Sequence, residues 1–450
     1  MNRERIYTFD IAKGIAILFV IPLHALIYKI GRNDPTIFEP IISKIPPEFL
    51  LFLAPVILLS LWGPIFTMIT GANVAYGFLK VYQRDPEQSS AYILRRMLAA
   101  GLLIFTARIA VFIFEGRIYE NGAFNLLNFK TRYYADTLDS IALTNIIVPV
   151  IMLYLINWVR SRKMKEAPGS ESVIIKLRHL YIGLVILTVL WFVFTPVVHA
   201  LKPYVLAVSS RHNWKLLMLL YGKMTAGRFR LFPILGFGYV GAIIGVALQS
   251  KEKFSNILRY SGLFFGVTLV GFIIWCFFAA HPIGNVASDD IPIMLQVLVL
   301  GSMTFALILV LGRVDYCPAE RRERRIQRTL FVRRFSIVTL TIYIMESAPA
   351  HGIYLIFEQY WETAVQYVDQ VPVLTWGLTQ ILVYISVVTL IWIVIVRLWE
   401  KIDFVGSLEW ITLKFGALLR GQRNARINSK WILYGQADDS ATLKVETSNP

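Results

Sequence analysis

The sequence predicts an all-α membrane protein of about ten transmembrane helices with both termini cytoplasmic. Residues 1–400 would form the transmembrane domain and 401–450 a basic, amphipathic cytoplasmic tail. Three observations predict this. Of the 450 residues, 56% are hydrophobic and only 16% charged, whereas soluble domains carry about a quarter. Apolar runs of ~18 or more residues, enough to cross the hydrocarbon, recur along the whole chain. Lysine and arginine gather in alternate connections, which assigns sidedness.

In order, the expected spans are 11–30, 49–78, 92–114, 139–159, 179–199, 231–249, 260–280, 292–312, 336–357 and 373–397. The second is long for one crossing and is expected to tilt or to begin at the interface. With the N-terminus inside, the inner segments carry 32 of the 45 lysines and arginines and the outer segments 12; Arg108 lies within the third span. The basic stretch PAERRERRIQRTLFVRR (318–334) sits between outer loops 281–291 and 358–372, neither of which has a basic residue. The net charge of +16 therefore reads as a topology signal, with anionic lipid as a contact, and not as nucleic-acid binding. Cys276 and Cys317 form neither a disulfide framework nor a metal pattern. The first apolar segment lacks a small-residue cleavage site, so no signal peptide is expected. LEWITLKFGALLRGQRNARINSKWIL (408–433) is expected on the inner membrane surface.

Each ionisable residue inside the hydrocarbon is a functional candidate, because a charge there costs several kcal/mol; snorkelling near a helix end is the competing reading. The first helix is the richest. At ~100° per residue, Asp10, Lys13 and His24 fall within ~60° of one another. Asp10 and Lys13, one turn apart, are placed to pair. His24 lies ~21 Å further out at 1.5 Å per residue, and Pro22 removes a backbone hydrogen bond beside it. Histidine titrates near neutrality and is the usual general base; a histidine bonded between helices is the bland alternative.

In the second span, Gly71 and Ala72 suit close helix packing. Arg108 is placed either to bind an anionic group or to snorkel. Asp136 and Asp139 either orient a polar acceptor or cap the fourth span. RFRLFPILGFGYVGAIIGVAL (228–248) puts Gly241 and Gly245 on one packing stripe, with Arg228 and Arg230 at the outer membrane surface. In SIVTLTIYIMESAPAHGIYLIF (336–357), Glu346 falls near the midplane. His351 lies ~140° around the helix from it, so the two share no face unless Pro349 bends the chain. His179, His199, His212 and His281 read as ordinary surface residues.

The order of these motifs resembles the transmembrane acyltransferases: heparan-α-glucosaminide N-acetyltransferase, its uncharacterised prokaryotic relatives and, more distantly, the acyltransferase-3 proteins. The residues that carry the resemblance are Arg5, Asp10, Lys13-Gly14 and His24 at the start. FTMITGANVA (66–75), FPILGFGYVGAIIGVAL (232–248), TLTIYIMESAP (339–349) and GSLEWITLKF (406–415) then follow in the family's order. Two positions depart from the pattern. Lys13 replaces an arginine, keeping charge but losing bidentate geometry. Glu346 replaces a histidine, so that histidine's role is not carried over.

The resemblance implies transfer of an acyl group, acetyl first, from cytoplasmic acyl-CoA to an extracytoplasmic sugar or glycolipid, with no metal. His24 would serve as general base or acyl carrier, with Asp10 and Glu346 as the other catalytic candidates. Arg5, Lys13, Arg108, Asp136, Asp139, Arg228 and Arg230 would bind substrate or cofactor. Acetyl-CoA is then a co-substrate, membrane lipids and the acceptor are partners, and a homodimer is possible. The expected location is a prokaryotic cell membrane before a lysosomal one. The alternative is a proton-coupled transporter or flippase of a small polar or lipid-linked substrate.

Overall fold

The computed structural model describes residues 5–31, 35–38, 61–114, 119–120, 123–124, 135–166, 177–279, 291–368, 371–419, 421–422 and 427–434. The chain divides into two compact units, one of 1–60, 108–119 and 313–450 and the other of 61–107 and 120–312. Helix dominates both. Among the described residues, seven helical segments are long and apolar enough to cross a membrane: Tyr7–Ile30, Thr137–Ser161, Leu177–Ala200, Leu231–Gln249, Phe254–Phe278, Ile293–Val314 and Leu378–Glu400. These coincide with seven of the ten expected spans.

In the second unit, helices α2 (Ile65–Arg84), α3 (Gln88–Phe114), α4 (Thr137–Glu166) and α5 (Leu177–Ala200) precede two short helices, α6 (Lys202–Arg211) and α7 (Lys215–Thr225). Helices α8 (Leu231–Gln249), α9 (Phe254–Phe278) and α10 (Ile293–Val314) follow. Its core gathers Val74, Phe78, Val148, Met152, Leu184, Leu235, Tyr239 and Val246, all buried. α8 is the central helix, and the glycines explain why. A Cβ on Gly241 would run into the Met68 carbonyl, one on Gly245 into the Ala72 carbonyl, and one on Gly71 into the Gly238 carbonyl. The backbones of α2 and α8 thus touch directly, the close approach that small residues permit where lipid offers no hydrophobic drive. By contrast, α9 leaves Tyr260, Leu263, Val267, Val270, Ile274 and Phe277 exposed along its length. So large a bare apolar surface belongs in a bilayer and not in water. The protein is an α-helical, membrane-embedded one.

In the first unit, α1 (Tyr7–His24) runs on into a π-helical turn, Ala25–Ile30. After α10 come α11 (Ala319–Arg328), α12 (Leu330–Ile337), α13 (Thr339–Met345) and α14 (Ser347–Trp361). An antiparallel hairpin follows, pairing Val365–Val368 with Val371–Leu374 and placing Val365 opposite Leu374. Then come α15 (Leu378–Glu400), α16 (Leu408–Leu418) and α17 (Ser429–Tyr434). α1 lies against α12, α13 and α15, with Gly14 backed directly onto the Val332 carbonyl.

The expected spans that differ do so for local reasons. Residues 49–60 of the second lie outside the described residues and 61–64 form a turn; the rest falls in α2, which continues to Arg84, where Lys80 and Arg84 suit a polar interface. The ninth, 336–357, is not one helix but the pieces α12, α13 and α14. Pro349 has no N–H to give the Met345 carbonyl, so regular helix breaks between Met345 and Ser347, at Glu346.

Candidate functional site

Two polar clusters stand out in the first unit. The first is built where two interruptions meet. Pro22 loosens the end of α1, and His24 closes that helix directly before the π-helical turn Ala25–Ile30, a backbone form that frequently marks functional sites. Glu346 sits at the break between α13 and α14. His24 Nδ1 pairs with Glu346 Oε1. Both side chains are largely buried, 14% and 8% exposed. Glu346 Oε2, also buried, has no hydrogen-bond partner. The Tyr28 and Tyr343 rings flank the imidazole, with centroids 4.7 Å and 5.8 Å away. A carboxylate on Nδ1 favours the tautomer with its proton there and turns Nε2 toward any reacting group; it also stabilises the imidazolium that forms on protonation. His351, on the exposed side of α14, takes no part in this pair.

The second cluster lies at the other end of α1. Arg5 Nε donates to Asp10 Oδ2 at 2.5 Å, and Lys13 Nζ lies 3.6 Å from Asp10 Oδ1. The pairing expected between Asp10 and Lys13 is present, but Asp10 is not beside His24; its partners are Arg5 and Lys13. Asp315 accepts from the Tyr7 and Thr8 amides at 3.0 Å and 2.9 Å and from Thr8 Oγ1 at 2.5 Å. It therefore caps α1, whose own N-cap, Ile6, has no side-chain acceptor. Burial pushes the Asp315 carboxyl above its usual range, while the Thr8 and Tyr7 hydrogen bonds and the Arg322 charge pull it back down. Arg322 and Arg333 both lie over the Tyr7 ring, at 5.4 Å and 4.6 Å, and the Nε of each is buried without a hydrogen-bond partner.

The same helices hold the C-terminal segment. Arg333 donates to the carbonyls of Ile432 and Leu433 at the end of α17. Arg334 Nε donates to Glu400 at 2.6 Å, and Tyr434 bonds to both. Glu409 accepts from the Leu340 and Thr341 amides and from Thr341 Oγ1, which caps α13. Burial raises the Glu409 carboxyl against those same bonds.

The remaining candidates lie apart from these clusters, all but Arg108 in the second unit. Asp136 and Asp139 cap the start of α4 reciprocally: the Asp139 amide donates to Asp136 Oδ1 at 2.9 Å and the Asp136 amide to Asp139 Oδ2 at 3.1 Å. Lys223 completes the arrangement with an ion pair to Asp139. The capping alternative is thus the one the geometry displays. Arg230, expected at the outer surface, is buried at 6% exposure, whereas Arg228 is half-buried; Arg230 is the N-cap residue of α8, a helix buried along most of its length. Arg108 belongs to α3, but its side chain lies outside the described residues. Among the ordinary histidines, His199 contacts the Phe232 carbonyl at 3.1 Å and His212 stacks on Trp214; His281 lies outside the described residues. Among the described residues no group of three or more His, Cys, Asp and Glu gathers.

Sequence reasoning missed Asp315, Arg322, Arg333, Arg334, Glu400 and Glu409. Arg322, Arg333 and Arg334 lay inside the basic stretch credited to topology, and Glu409 inside the LEW motif. The signal available for Asp315 was its place, three residues beyond the apolar run that ends at Gly312.

Compared with known proteins, the chain matches no family model, no curated protein and no solved structure.

Proposed function

We infer that this protein is a membrane-bound acyltransferase that moves an acyl group, acetyl first, from cytoplasmic acyl-CoA to a sugar or glycolipid on the opposite side. The observation that carries this reading is the buried His24–Glu346 pair, set at the start of a π-helical turn and at the junction of α13 and α14 in a membrane protein. Residues so costly to bury in a bilayer are by default functional, and an oriented imidazole is the usual apparatus for deprotonating a hydroxyl.

In the reaction, His24 Nε2 takes the proton of the acceptor hydroxyl while its oxygen attacks the thioester carbonyl. The C–S bond breaks, the new ester is released, and the CoA thiolate recovers the proton from the imidazolium. Glu346 holds the ring and offsets its transient charge. The inner cluster suits the phosphates of the donor. Arg5, Lys13, Arg322 and Arg333 outnumber Asp10 and Asp315 there, and Arg5, Lys13 and Arg322 remain 24%, 27% and 32% exposed. The cell-membrane location, the ten spans and the two cytoplasmic ends belong to the same reading, supported by the distribution of lysine and arginine.

The test is transfer of labelled acetyl from acetyl-CoA to externally presented glycans and lipids by the purified protein in liposomes, wild type against His24→Ala. Full activity in the variant would remove His24 from the chemistry. The unpartnered Glu346 Oε2 also favours a second reading, proton-coupled transport. Substrate uptake driven by a pH gradient in liposomes without acyl-CoA would decide for it.

A further inference from the structure

α11 (Ala319–Arg328) is a short, highly charged helix none of whose residues is buried. At ~100° per residue, Arg324, Arg328 and Arg321 fall within ~60° of one another, and all three are exposed. Arg322, Arg325 and Ile326 occupy a different arc, centred ~120° away, and are half-buried. Those three face the protein: Arg325 donates to the Arg313 carbonyl, and Arg322 pairs with Asp315 at 3.7 Å and lies over Tyr7. Glu320 and Glu323 flank the arginine face, leaving it cationic on balance.

Position matters as much as charge. Arg313 belongs to the last turn of α10, a candidate span, so the Arg325 bond holds α11 against a membrane-helix end. The five Cα–Cα steps from Val314 to Ala319 allow a separation of at most ~18 Å. Tyr316 and Phe331, at either end of α11, are 39% and 42% exposed, as aromatic groups at a membrane interface commonly are. An arginine side chain is long enough to reach headgroups from such a position.

We propose that Arg321, Arg324 and Arg328 form a binding surface for the headgroups of anionic phospholipids, holding α11 on the membrane surface. The guanidinium groups recognise lipid phosphate through charge-assisted hydrogen bonds, and each basic residue near an anionic surface strengthens binding by roughly fivefold. This assignment is independent of the acyltransferase reading.

The experiment titrates the full-length protein in neutral detergent with fluorescent phosphatidylglycerol and with phosphatidylcholine. Wild type should prefer phosphatidylglycerol, and the preference should fall in high salt. The triple variant R321Q/R324Q/R328Q should lose on the order of 100-fold of that preference. Its thermal unfolding midpoint should match wild type, because all three side chains are exposed. The control R160Q/R211Q/R259Q removes three other exposed arginines and should keep the preference. The proposal is overturned if wild type shows no preference, if the triple variant retains it, or if the control loses it equally. It is also overturned if glycerol phosphate or a short RNA displaces the lipid at comparable concentration, since the surface would then read free phosphate or nucleic acid.

Discussion

Asp315 and Thr8 are joined by two hydrogen bonds on one carboxylate oxygen, from the Thr8 amide at 2.9 Å and the Thr8 hydroxyl at 2.5 Å. A residue 307 positions away thus does what the N-cap of α1 does not, since Ile6 offers no acceptor. Glu409 repeats the device on α13 with the Leu340 and Thr341 amides. Each carboxylate ties a helix start to a distant part of the first unit.

Removing such a cap leaves buried amides without partners, at a cost of roughly 1–3 kcal/mol. Asp315→Ala should therefore lower the thermal unfolding midpoint in detergent clearly more than Thr8→Val, which removes one hydroxyl bond and keeps both amide bonds. Equal effects from the two would show that the amides do not depend on Asp315.

The pH dependence follows from the direction of the Asp315 shift. Burial outweighs the opposing bonds and raises the folded carboxyl above its ordinary value of 3.8. The folded state then binds the proton more tightly than the unfolded state. This contribution to stability is fully present below that ordinary value and is lost as pH rises through the folded one. Glu409 acts in the same sense, from 4.5. The difference in melting temperature between wild type and Asp315→Asn, followed from pH 4 upward, should change in wild type's disfavour before levelling off. A difference that stayed flat, or moved in wild type's favour, would contradict the assignment.

Direct backbone contact between α2 and α8 makes Gly241 intolerant. Gly241→Ala places a methyl against the Met68 carbonyl and should cost about 1–3 kcal/mol, as overpacking does. Gly266, in α9, has nothing within 4 Å of an added Cβ. Gly266→Ala should instead gain about 0.5–1 kcal/mol from helix propensity. Melting curves of the two variants should move in opposite directions.

At the proposed reaction centre, His24→Ala should lower acetyl transfer by about 10²–10⁴-fold, the usual contribution of a positioned acid–base group. Glu346→Gln keeps an acceptor for Nδ1 but not the charge that stabilises imidazolium. Its loss should be smaller and should appear in kcat, with the acidic limb of the pH–rate profile, where the base becomes protonated, displaced. An unchanged profile with a raised KM would make Glu346 a packing residue.

How much was legible in advance depended on how far apart the partners stand in the chain. The Asp10–Lys13 contact follows from one helical turn, and the Gly241–Gly245 stripe from two residues four apart; both were readable from periodicity. The Asp136–Asp139 arrangement was readable as two alternatives, between which the reciprocal cap decides. The break at Glu346 was foreshadowed by Pro349, yet the regular apolar pattern around it suggested one continuous span.

By itself, then, the sequence determined an apolar, helical, membrane-embedded chain, the common face of Asp10, Lys13 and His24, and the small-residue stripe of α8. Those properties depend on composition and the 3.6-residue repeat. Only the tertiary structure decided that His24 meets Glu346, that Asp10 pairs with Arg5 as well as Lys13, that Asp315 and Glu409 cap distant helices, and that Arg230 is buried. The physical reason is that these contacts depend on which helices lie side by side and at what depth. A helix's own periodicity says which face it presents, but not what that face will meet.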